Sequence, residues 1–134
     1  MSSTLLLSEA RTRRLAGDWA NAVDLSDQVF SEGWQTGDID QLIEGILSVA
    51  HALREMEDAE AAVEAYELAH TISVLHERGE QAGRALNGTA ILLQQRGEID
   101  RAQAAYLEAH SLALTVGDRL TAGDIELNLG SLEA

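Results

Sequence analysis

Ala65-Tyr66-Glu67-Leu68-Ala69-His70 and Ala105-Tyr106-Leu107-Glu108-Ala109-His110 stand forty residues apart and share their Ala, Tyr, Ala and His in register. Self-similarity at a fixed spacing is the mark of a repeat architecture, in which each unit buries its apolar face against the next. The register runs outward from this pair. Ala10, Ala50, Ala90 and Gly130 fall on it, as do Ala22, Ala62 and Ala102, then Ala82 and Ala122, and Gly83 and Gly123. Leu6, Ile46 and Leu86 form a further series.

A second period of twenty lies inside the first. Gly17-Asp18, Gly37-Asp38, Gly97-Glu98 and Gly117-Asp118 sit on it; Glu57-Asp58 and the region of residues 77–79 occupy the remaining positions without the glycine. Glycine stops a helix because it takes the left-handed conformation at the position after the cap. Aspartate starts one because its carboxylate accepts hydrogen bonds from the open N–H groups of the first turn. The pattern predicts helices over 3–16, 18–34, 38–56, 58–76, 79–95, 98–116 and 119–132. Ala and Leu, the best helix formers, dominate the apolar residues, and the chain contains no proline to break a helix. Turns this short set neighbouring helices antiparallel. The expectation is an all-α single domain over 1–134: three helix hairpins and an unpaired C-terminal capping helix, in units of about 3–42, 43–82, 83–122 and a partial 123–134.

The recurring small residues have a packing reason. Helix axes come within about 8–10 Å only where the side chains at the crossing are small. Ala50 and Ala62 are expected to meet in one hairpin and Ala90 and Ala102 in the next, with Tyr66 and Tyr106 filling the space toward the following unit.

These residues resemble the tetratricopeptide repeat, most fully in the third unit with Ala90, Gly97, Ala102, Tyr106 and Ala109, then in the second with Ala50, Ala62, Tyr66 and Ala69. In the first, Ser26 and Val29 replace the aromatic residue and the alanine. The forty-residue period is similar to that of the longer tetratricopeptide variety, whose fingerprint is matched by Ala109-His110, Gly117-Asp118 and Asn128-Leu129-Gly130. Asp124 stands where that variety carries an Arg. The resemblance implies a TPR-like α-α superhelix whose odd-numbered helices line a concave face.

Carried onto this chain, the family's groove positions are Thr4, Leu7, Arg11, Arg14 and Leu15; Glu44, Leu47, His51, Arg54 and Glu55; Arg84, Asn87, Ile91, Gln94 and Gln95; and Asp124, Leu127 and Ser131. Only nine residues are basic, all of them Arg, yet Arg11, Arg14, Arg54 and Arg84 fall on this set. Guanidinium forks hold carboxylates by two parallel hydrogen bonds. The expected function is therefore a protein-interaction adaptor that takes an extended, acidic peptide in an Arg-containing groove, through Arg11, Arg14, Leu47, His51, Arg54, Arg84, Asn87, Ile91 and Gln94. The absence of Lys departs from the family's better-known Lys-containing carboxylate clamp. The alternative is a self-assembling scaffold, a homodimer joined through the unpaired terminal helix and its Leu120, Ile125, Leu129 and Leu132.

Other classes find little support in the residues. A net charge of −14 opposes nucleic acid and anionic membrane as partners. With no cysteine there are no disulfides, thiolate metal sites or cysteine nucleophiles. The equivalence of His70 and His110 favours a shared packing role, and no His-x-x-x-His pair suggests a metal. Neither a nucleophile elbow nor a phosphate-binding loop is present, so no enzyme activity and no cofactor are expected. The three leucines Leu5 to Leu7 precede the charges of the N-terminus, the reverse of a secretory signal, and no apolar run reaches membrane-spanning length. The expected compartment is the cytoplasm.

Overall fold

A computed structural model describes residues 2–132. The protein is all-α, with seven helices and no strand among these residues: α1 (Ser3–Leu15), α2 (Trp19–Thr36), α3 (Ile39–Glu55), α4 (Ala59–Leu75), α5 (Gly79–Gln95), α6 (Ile99–Thr115) and α7 (Arg119–Leu132). Each lies within two residues of the span that the glycine and aspartate spacing predicts. Residues 133 and 134, the end of the expected partial unit, lie outside the described residues.

The turns explain why the spacing is so regular. At the end of α1 the N–H of Gly17 donates to the Arg14 carbonyl and that of Asp18 to the Arg13 carbonyl. This paired bond satisfies carbonyls that the helix leaves open. The same pair recurs at residues 57–58, 77–78, 97–98 and 117–118. It requires a left-handed residue. Gly97 (φ 80°) and Gly117 (φ 75°) meet that need, and where the glycine is missing Glu57 (φ 64°) and Glu77 (φ 56°) adopt the same conformation. The turn is thus imposed by the helices on either side, against a steric cost of about 1–2 kcal/mol for a residue with a Cβ.

The aspartates behave less uniformly. Asp38, Asp58 and Asp118 cap their helices by accepting from the N–H of Gln41, Ala61 and Thr121. Asp18, expected to do the same, accepts instead from the Asn21 side-chain amide at 2.8 Å and makes no cap bond.

The chain divides into two compact units, residues 1–68 and 69–134, with the boundary inside α4. In the first, α1, α2 and α3 pack on one another. The α2–α3 crossing is the tightest place in it. A Cβ on Gly33 would stand 2.6 Å from the Leu42 backbone nitrogen, and one on Gly45 2.6 Å from that of Phe30. Glycine at both positions lets backbone meet backbone. Nearby, the buried Ser26 hydroxyl donates to the Ala22 carbonyl at 2.7 Å and lies 2.6 Å from that of Ser48 on α3. Ser26 holds the repeat position of Tyr66 and Tyr106, so the first unit closes that gap with a short polar pair.

In the second unit α5, α6 and α7 surround a core of Ala90, Leu93, Ala102, Tyr106, Ala109 and Ile125. The expected meeting of Ala90 with Ala102 is realised here, with Tyr106 reaching the Ile125 side of the core. Ala50 and Ala62 of the first unit are fully buried as well. The alanine notches face protein throughout.

Candidate functional site

The first unit gathers three of the predicted residues at one place. Tyr66, on α4, is fully buried, and its hydroxyl lies 2.6 Å from Nδ1 of His51 on α3. The two rings sit 5.6 Å apart, tilted by 60°. One turn along α3, the Arg54 guanidinium stands over the Tyr66 ring, 6.0 Å from its centroid. That is the outer limit of a cation–π contact. Arg14, from α1, forms an ion pair with Glu55. Its side chain is only 18% exposed, so this pair is better shielded than an ordinary surface bridge.

The electrostatics follow from the geometry. Burial pushes the Tyr66 hydroxyl up to about 12, while Arg54 and then Arg14 draw it down and Glu55 raises it slightly. Both guanidinium groups are therefore close enough to act on the phenol. Glu55 is taken by Arg14, whereas Arg54 makes no ion pair with any described carboxylate, in a chain with 23 acidic residues. A half-buried guanidinium over an aromatic ring, with no carboxylate among the described residues, is suited to receive a carboxylate from elsewhere.

The remaining predicted residues are placed as follows. Arg11 is exposed on α1. Leu47, expected to supply apolar contact to a peptide, is fully buried and has no surface to offer. It lies with Ile43 and Ala50 on the strip of α3 turned into the core, so its place on a groove is corrected to a core position. Arg84, Asn87, Ile91 and Gln94 belong to the second unit. There Gln94 accepts from the Tyr106 hydroxyl at 2.8 Å and donates to Ser131 at 3.0 Å. Asn128 donates to Asn87 at 3.3 Å, and Ile91 packs against the unit's core. Arg84 is half-buried on α5. Among the described residues no three His, Asp or Glu side chains are grouped to hold a metal ion.

The repeat register alone gives Tyr66 only a packing role. The signal for its polar role is present: residues 51 and 54 lie one turn apart on α3, level with the aromatic position of the following helix, and both are polar. A concavity elsewhere in the first unit has the opposite sign. A groove of about 420 Å³ between α1 and α2 is lined by Asp24, Asp27 and Glu32 beside Leu6, Gln28, Ser31 and Gln35. Burial and then neighbouring Asp24 hold the Asp27 carboxyl above its ordinary range. Such a lining repels carboxylates.

No family model matches the chain, and no curated protein matches it. No helix among the described residues is long and apolar enough to cross a membrane. Among solved structures the chain is similar to BtubC (BKLC) from P. vanneervenii, at 25% identity and a TM-score of 0.79, over 92% of this chain and 51% of that one. The chain thus spans about half the length of the protein it matches.

Proposed function

We propose that this chain is a tetratricopeptide-type adaptor without a reaction of its own, and that it holds an acidic segment of a partner protein at the Tyr66 niche. The observation that carries the reading is the Arg54 guanidinium: half-buried, over an aromatic ring and, among the described residues, without a carboxylate partner in an acidic protein. Arg54 supplies the fork, His51 a second polar group beside it, and the Arg14–Glu55 pair sets the position of the α1 side. The all-α repeat, with alanine crossings spaced by forty residues, supports the tetratricopeptide part of the reading. The scarcity of basic residues in a chain of net charge −14 also favours a local, oriented contact over a diffuse one.

Calorimetric titration with a short Glu-rich peptide bearing a free C-terminal carboxylate tests this at low salt. Saturable binding is expected, weakened about tenfold or more by Arg54→Glu, since a charge-assisted pair is replaced by repulsion. Arg54→Lys keeps the charge, loses the fork and should fall between. Gln94→Glu, in the second unit, should leave the affinity near wild type. Equal binding by wild type and Arg54→Glu contradicts the proposal.

A further inference from the structure

Three arginines stand in the last turns of α1 and α3, and each meets its surroundings differently. Arg13 pairs with Glu9, one turn back on its own helix, at 2.9 Å and with Asp18 at 3.6 Å. Arg54 has no carboxylate among the described residues and lies over the Tyr66 ring. Arg14 reaches forty-one residues along the chain, to Glu55 at the end of α3.

Neither the helix nor the repeat asks for that acid. The free carbonyls at the end of α3 carry partial negative charge, which favours Arg54 and repels the carboxylate next to it. The repeat equivalents of Glu55 are Leu15 and Gln95. What Glu55 does answer is the arrangement of the arginines. Arg14 and Arg54 hold the same position of successive repeats, on helices that pack against each other, and both act on the Tyr66 phenol. With no anion beside them, two guanidinium groups would face one niche uncompensated. One repeat on, Gln94 and Gln95 replace Arg54 and Glu55, so that arginine and acid are lost together.

The two members of the pair are also unequally placed. The Arg14 side chain is 18% exposed and that of Glu55 32%. Glu55 can turn out and recover its hydration, while Arg14 stays behind with its charge in need of a partner. Taking the Tyr66 niche as a carboxylate site, the reading on which this inference rests, we propose that Glu55 is its built-in competitor. The partner segment brings two acidic groups: one goes to Arg54, and the other displaces Glu55 from Arg14.

The shape of such a segment follows. In an extended chain, side chains two residues apart point the same way and stand about 7 Å from one another. Packed helices lie about 8–10 Å apart, and long arginine side chains close the difference. Two acids separated by one residue therefore fit, whereas a single acid leaves Arg14 with Glu55. Because the exchange replaces one ion pair by another, the second acid adds specificity more than affinity.

Calorimetric titration with two acetylated and amidated Gly-Ser peptides is the test, one bearing a single glutamate and the other two glutamates separated by one residue. Wild type is expected to prefer the second peptide by about threefold. Glu55→Gln should tighten that peptide by about tenfold or more, the worth of one charge-assisted bond that no longer has to be broken. On an Arg14→Gln background the gain should vanish and the two peptides should bind alike. A thermal melt of Glu55→Gln accompanies the titration. A lowered melting temperature with unchanged affinity makes Glu55 only a tie between α1 and α3 and overturns the inference. An equal gain with Arg14→Gln in place means that Glu55 acts through bulk charge alone, and overturns it too. Either result leaves the niche standing, provided that Arg54→Glu still weakens binding. If Arg54→Glu has no effect, the niche and its competitor fall together.

Discussion

Tyr66 and Tyr106 occupy the same position of successive repeats, are both fully buried, and differ in what they touch. Tyr66 meets an imidazole and lies under a guanidinium; Tyr106 meets the carboxamide of Gln94. The residues responsible are themselves repeat equivalents: His51 becomes Ile91, and Arg54 becomes Gln94. The ring is common because the gap between helices must be filled. The pair of residues beside it on the preceding helix is where one unit acquires charge and the other stays neutral. Ser26, the third member of the series, marks the limit of this freedom, since the small side chain is joined by Ser48 where the other units carry a ring.

If the rings do the same structural work, truncating them should cost alike. Tyr66→Ala and Tyr106→Ala are each expected to lose about 3–5 kcal/mol, the range for deleting a buried aromatic side chain. Chemical denaturation measures both. A Tyr66→Ala loss far below that of Tyr106→Ala would break the equivalence.

Burial of the Tyr66 hydroxyl should show next, through pH. The Tyr66 hydroxyl titrates near 12 in the folded chain against about 10 in an unfolded one. A group whose folded value is raised stabilises the fold fully below the unfolded value and loses that contribution as pH climbs through the folded one. Between pH 10 and 12 stability should therefore fall by about 2–3 kcal/mol on account of Tyr66. Tyr66→Phe should remove most of that slope. A wild-type slope that survives in Tyr66→Phe would assign it to another group.

The smallest effect concerns the turns. Glu57→Gly and Glu77→Gly relieve a left-handed residue and should each stabilise by about 1 kcal/mol or less. Thermal melts suffice, and destabilisation by either would mean that the glutamate side chain serves a purpose the backbone does not reveal.

Much of the fold was legible because its signals are local. Gly17, Gly37, Gly97 and Gly117 mark turns by backbone conformation alone, and the missing glycines at 57 and 77 did not hide them because the helix period filled the gap. The alanine register was legible because close crossings tolerate little else. What escaped depends on rotation and on distant neighbours. Leu47 sits one turn from His51 and is rotated from it by about 40°, and that rotation decides core against surface. The Gly33 and Gly45 contacts were invisible because neither lies on the forty-residue register with another glycine. Asp18 looked identical to Asp38 and Asp118 until Asn21 was seen to take its carboxylate. In the candidate site the residue types were readable from the repeat, but the ring that ties His51 to Arg54 comes from another helix.

The central claim is that the niche at Tyr66 receives a carboxylate and its equivalent at Tyr106 does not. Side-chain NMR signals of the arginine Nε–H and glutamine amide groups, followed while the Glu-rich peptide is added, report on both places in one sample. Saturable shifts at Arg54, with smaller ones at Arg14 and none at Gln94, are the predicted result. An unmoved Arg54 signal at saturating peptide, or equal shifts at Arg54 and Gln94, would contradict it.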